Sequence, residues 1–188
     1  MRVLALDTTT RAGSVALVIG DRIVDERRGD AARTHAERLP AELLTLAEAH
    51  GLALDDIDLF AVAAGPGSFT GMRIGIATAQ GFAFTTRRPL AAVSALDALG
   101  AIGSATAPDG ALVAGWIDAR RGDVFAALYR VTSAPMYTPE RITVIDGPTV
   151  GSPDSTLRRW RPSTARERVI FVGDGAVLYF DVLQQSGA

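Results

Sequence analysis

The 188-residue chain contains no cysteine, which excludes thiol nucleophiles, disulfides and thiolate metal sites. It contains no lysine either: all 19 basic side chains are arginines. That removes a Walker-type phosphate loop and Schiff-base chemistry, both of which depend on a lysine amine. Only two histidines are present, His35 and His50, too few for an imidazole-rich metal site within one chain. No apolar run approaches the ~20 residues a membrane helix requires. Met1 to Leu6 meets Asp7 before a signal-peptide core can form, so a cytoplasmic protein without membrane contact is expected. A net charge of -2 argues against a dedicated nucleic-acid binder. What remains, 48% apolar and 21% charged, suits a globular chain of one large domain or two small ones.

Val3 to Asp7 and Gly13 to Gly20 are apolar runs around Thr8-Thr9-Thr10-Arg11-Ala12, the pattern of a β-hairpin, and Arg22 to Arg27 adds a third strand. From Thr34 to His50 the period becomes helical, with Leu39, Leu43 and Leu46 on one stripe. Thr34 and Glu37 have capping-box spacing, while Pro40 argues for a start near residue 39. Leu59 to Ala64 reads as a buried strand, followed by Gly65-Pro66-Gly67-Ser68-Phe69-Thr70-Gly71 and a helix to about Thr86. Leu90 to Val93 is the next strand, and Ser94 caps a helix to about Ile102. Ser104 to Gly110 is the best domain boundary, giving expected domains at 1–104 and 105–188. Beyond it lie a hairpin, Ala111 to Asp118 with Val124 to Val131, and a strand, Val169 to Val172, leading to a helix over Ala176 to Leu183. Residues 133 to 168 carry five of the nine prolines and give no clear reading. Asp7 and Asp118, 111 residues apart, and Gly65-x-Gly67 and Gly173-x-Gly175, 108 apart, suggest a duplicated α/β unit.

Three features invite a functional reading, each beside a plainer one. Asp7, Thr8 and Thr9 at a hairpin tip could face a phosphate or a metal-bound water, or simply make a turn. Gly65, Gly67, Ser68 and Thr70 join a strand to a helix N-terminus, where free amides favour an anion, or where Ser68 or Thr70 merely caps. The helix from Gly71 is apolar nearly all round: Gly71, Gly75, Ala79 and Ala83 form a small-residue ladder with Met72, Ile76 and Phe82 beside it, and only Arg73 and Gln80 are polar. Such a helix is buried on most sides, either by the chain's own helices or by a partner. With Leu39, Leu43 and Leu46, these residues form the expected partner surface. The arginines at 158, 159, 161, 166 and 168 read as a solvated linker or a phosphate contact, and His35 as a cap or surface residue.

Leu4-Ala5-Leu6-Asp7-Thr8, His35-Ala36-Glu37-Arg38-Leu39 and above all Gly65-Pro66-Gly67-Ser68-Phe69-Thr70-Gly71-Met72-Arg73 resemble the TsaB (YeaZ) family. Asp118 to Phe125 and Gly173 to Ala176 extend the resemblance more loosely. It implies an α/β, actin-like (ribonuclease-H-like) fold of two duplicated subdomains, the second smaller. It also implies a noncatalytic role, binding and activating the paralogue TsaD in formation of threonylcarbamoyladenosine in tRNA. In TsaD a Val-Asn-His-x-x-x-His segment supplies metal ligands; the matching positions here are Ala95 and Leu99. The implied partners are a TsaD-like protein, a TsaE-like ATPase, and a second copy of the chain when TsaD is absent. Contact with tRNA would be indirect or weak. No cofactor of its own is implied, ATP or ADP entering with the complex. The family's ordinary length leads us to expect a further C-terminal piece. The alternatives are an ATP-dependent kinase of the same fold and a glycoprotease-like peptidase, for which no thiol, metal site or nucleophile elbow is found.

Overall fold

The computed structural model describes residues 1–164 and 167–186. Its chain divides into two units, Met1–Ala95 and Leu96–Ala188. The division precedes the expected loop boundary by nine residues, so that helix α3 (Ala95–Ser104) falls almost wholly in the second unit. There Asp97 accepts a hydrogen bond from the Tyr129 hydroxyl at 2.8 Å.

In the first unit β1 (Arg2–Asp7), β2 (Ser14–Ile19) and β3 (Arg22–Arg28) form the antiparallel meander read from the sequence. Helix α1 (His35–Ala49) crosses to β4 (Leu59–Ala63), parallel to β1, and α2 (Phe69–Thr86) crosses to β5 (Leu90–Val93). The sheet order is β3-β2-β1-β4-β5. Alternation sends Leu4, Leu6, Val15, Leu17, Phe60 and Val62 to one face, where they meet the apolar stripes of α1 and α2. Contrary to expectation, α1 starts before Pro40 and runs through it. The Glu37 carboxylate accepts both the Thr34 amide at 2.8 Å and its hydroxyl at 2.7 Å, fixing the first turn. These bonds, the hydroxyl first, hold the Glu37 carboxyl below its ordinary value. Gly51, at φ +70°, ends the helix as expected.

The second unit repeats the plan. β6 (Leu112–Arg120) and β7 (Asp123–Val131) form the expected hairpin, β8 (Ile142–Gly151) extends it, and β9 (Val169–Val172) lies parallel to β6, in the order β8-β7-β6-β9. Both sheets thus have a three-stranded meander whose first strand pairs with a parallel crossover strand, as duplication demands. Helix α4 (Pro153–Thr164) makes that crossover, and α5 (Asp174–Leu178) and α6 (Phe180–Ser186) follow β9. The core sets Trp116 at a tilt against Trp160 and edge-on against Phe171, with the Trp160 indole N–H donated to Asp146 at 2.5 Å.

Burial, the Asp97 hydrogen bond and the Asp97 charge together push the Tyr129 phenol far above its ordinary value. The fold favours the neutral form, so this contribution is intact below about pH 10 and is lost as pH rises beyond the free phenol's value. In a spectrophotometric titration Tyr129 should stay protonated until the unit unfolds. Ionisation of all three tyrosines in the folded protein would contradict this placement.

Candidate functional site

The hairpin tip between β1 and β2 and the loop leading into α2 are packed together. The Ser68 amide donates to the Thr9 carbonyl at 2.7 Å. A side chain at Gly67 would strike Thr9, one at Gly71 the Thr8 carbonyl oxygen, and one at Gly75 the Thr8 hydroxyl. Close approach of the backbones therefore accounts for these glycines. Ser68 is the cap, its hydroxyl accepting the Gly71 amide at 3.2 Å, while Thr70 is exposed. The Gly65–Pro66 peptide is cis, and the Gly65 carbonyl accepts the Ala95 amide at 2.7 Å.

The structure thus gathers Asp7, Thr8, Thr9, Gly67 and Ser68 but leaves few donors for an anion. Asp7 accepts the Thr9 amide at 2.7 Å and its hydroxyl at 2.6 Å. Thr8 and Thr9 are buried, which corrects the reading of their hydroxyls as ligand-facing: α2 sits on Thr8, and the Gly67–Ser68 loop on Thr9. The amides of Gly13, Ser68, Gly71 and Met72 are also spent within the chain. From the other side, buried His35 joins the Thr10 carbonyl through Nε2 at 3.0 Å and Arg38 through Nδ1 at 3.0 Å. Arg38, only 2% exposed, donates to the Ala12 carbonyl and to Glu42. The Thr10 carbonyl needs a donor and Arg38 an acceptor, so His35 is a neutral imidazole protonated on Nε2. It is neither cap nor surface residue; it bolts α1 to the hairpin. No sequence signal announced this, since the backbone carbonyls that His35 and Arg38 meet lie 25 and 26 residues away from them.

The expected partner surface needs a larger correction. Leu39, Leu43 and Leu46 lie in the unit's own core, as do Ala79 and Ala83, and Gly75 is buried against Thr8 and Leu6. Phe82 stacks on Phe60 with ring centroids 6.0 Å apart, and Ile76 and Met72 are half-buried. The small-residue ladder faces inward because the hairpin and sheet approach α2 there. Solvent instead sees Phe69 (65% exposed), Arg73, Ala77, Gln80, Gly81 and Phe84 (87% exposed). The Arg73 guanidinium lies 4.1 Å from the centre of the Phe69 ring, so even its cationic residue screens an apolar neighbour. Gly81 has nothing within 4 Å of where a Cβ would stand. An exposed mid-helix glycine costs about 1 kcal/mol relative to alanine, and no contact within the chain requires it.

Of the positions matching the paralogue's metal ligands, Ala95 is buried and Leu99 packs against Gly115 and Gly173. Among the described residues no three His, Asp or Glu side chains converge as a metal site. No described helix is long and apolar enough to cross a membrane.

Two sheets of matching order, each with a meander and a helical crossover to a parallel strand, define an actin-like α/β protein of duplicated units. The chain is 34% identical over 193 residues to the Escherichia coli "tRNA threonylcarbamoyladenosine biosynthesis protein TsaB", covering 95% of this chain and 81% of that protein. It is 35% identical over 130 residues to the Bacillus subtilis protein of the same description, covering 69% of this chain and 56% of the relative. The solved structure of YeaZ from Pseudomonas aeruginosa superposes with a TM-score of 0.77 at 31% identity, over 96% of this chain and 78% of that one. The family model of TsaD, tRNA N6-adenosine threonylcarbamoyltransferase, matches residues 28–154. The chain belongs to the TsaB (YeaZ) family.

Proposed function

We propose that the chain is a noncatalytic cytoplasmic partner that binds and activates a TsaD-like transferase in the formation of threonylcarbamoyladenosine in tRNA, with a TsaE-like ATPase as third component. The observation that carries this is the outward face of α2. Phe69, Ala77, Gly81 and Phe84, with Arg73 and Gln80 between them, present a largely apolar surface that no described element of their own unit covers, and an exposed apolar patch of this kind marks an interface. Small residues at its middle let a second helix approach closely. A second copy of the chain covers the same face when the TsaD-like partner is absent, so homodimer and heterodimer compete. The apolar, packed Ala95 and Leu99 support a role without metal-assisted transfer.

Reconstitution tests the reading. A TsaD-like enzyme and a TsaE-like ATPase from the same source should form the modified nucleoside on tRNA only when this chain is added. The chain alone should form none. Product made by the chain alone, or full activity without it, overturns the proposal.

Nucleotide binding separates this reading from the kinase alternative. With Asp7 engaged by Thr9, the loop amides spent within the chain and no lysine present, ATP with magnesium should bind weakly to the isolated chain. Calorimetry giving submicromolar affinity would favour the kinase.

A further inference from the structure

Residues 158 to 168, which gave no secondary-structure reading, hold the densest charge of one sign in the chain, with Glu167 as their one acid. Arg166 lies outside the described residues. Helix α4 buries Pro153, Thr156 and Trp160 and turns Arg158, Arg159 and Arg161 to solvent, with exposed Arg168 just before β9. The neighbouring acids are largely committed elsewhere. Asp146 accepts from Arg159 at 2.8 Å as well as from Trp160, and Glu167 holds Arg130 through two bonds of 2.8 and 3.2 Å. Asp154, one turn before Arg158, makes no ion pair with it. Arg158, Arg161 and Arg168 therefore have no ion-pair partner among the described residues. Arg161 gains something from the helix C-terminus; Arg158 and Arg168 have no such account.

We propose that Arg158, Arg161 and Arg168 form a contact surface for the phosphate backbone of RNA. Guanidinium forks match phosphate oxygens; Arg158 and Arg161 project from a helix anchored by a buried tryptophan, and Arg168 stands directly before β9. The net charge of -2 conceals the patch because the acids are distributed elsewhere. An anionic membrane would call for apolar side chains on the same face to insert. Here Trp160 is buried, Leu157 is half-buried, and the solvent side of α4 carries only charged residues, serines and Pro162. The choice of RNA rests on the tRNA-linked reading above; the surface itself lies in the second unit, apart from the α2 face.

The test is fluorescence anisotropy with unmodified tRNA and the isolated chain, so no partner protein enters. Binding should be weak and salt-dependent. Arg158→Gln/Arg161→Gln/Arg168→Gln should raise Kd about tenfold at about 50 mM salt and flatten the log Kd against log salt slope by about 2.7, near 0.9 per lost contact. The corresponding triple Lys variant should retain most of the binding. Arg22→Gln/Arg28→Gln/Arg33→Gln, an equal change of net charge in the first unit, should shift Kd less than about threefold. Circular dichroism must show both glutamine triples folded. Equal effects of the two triples, loss of binding in the Lys triple, or no tRNA binding by the unaltered chain overturns the proposal. So does patch-dependent sedimentation with phosphatidylserine vesicles in the absence of tRNA binding. None of these outcomes touches the α2 reading, which fails or stands on partner binding alone.

Discussion

Gly71→Ala is expected to destabilise the first unit by about 3 kcal/mol or more, although the same change in an open helix gains up to about 1 kcal/mol. The new methyl would fall on the Thr8 carbonyl oxygen, and neither partner can yield. Thr8 is held between β1 and α2, and Gly71 is fixed by the Ser68 cap. Gly81→Ala, ten residues further along α2 and surrounded by open space, should instead stabilise the isolated chain by about 0.5 to 1 kcal/mol. Urea denaturation of the two variants reads both signs. Stabilisation by both would mean that the hairpin does not rest on α2 as described.

The second large effect falls on binding. Phe84→Glu alters a side chain that is 87% exposed, so the isolated protein should fold with unchanged stability, within about 0.5 kcal/mol. Against a partner, the same change replaces apolar burial with a charge taken out of water, at a cost of about 3 kcal/mol or more. Each ~1.4 kcal/mol is tenfold, so affinity for the TsaD-like partner should fall at least a hundredfold. Gly81→Leu should do likewise by filling the close-approach site. Calorimetric titration of the partner into each folded variant measures the loss. Wild-type affinity in both would remove α2 from the interface.

Much of the first unit was legible because its signals are local. Alternating Leu4, Leu6, Val15 and Leu17, the Thr34–Glu37 cap and Gly51 each define an element within a few residues. Strand β8 and helix α4 were not. Pro148 sits in an edge strand, where its missing amide costs little, and Pro153 opens a helix that Pro162 does not break. Proline counts therefore read as loop what the fold makes regular.

The solvent-facing side of α2 was misread for a different reason. Periodicity shows which residues of α2 share a side, but not which side meets the sheet. Gly71, Gly75, Ala79 and Ala83 looked like a partner's landing strip, whereas long-range packing on Thr8 and Leu6 claims them. Arg73 and Gln80, the helix's polar stripe, already marked the solvent side. Phe69 lies four residues before one and Phe84 four after the other, and reading outward from that stripe would have found the exposed face. The His35–Arg38 brace had no comparable signal.

The central claim is that a TsaD-like partner covers the outward face of α2. Hydroxyl-radical footprinting of the dilute chain, with and without that partner, tests it at the side chains concerned. Phe69 and Phe84 should be oxidised in the free protein and protected in the complex, while exposed Val177 and Phe180 of the second unit react equally in both. Equal oxidation of Phe84 in the free and bound protein, under conditions where the complex is fully formed, would contradict the account.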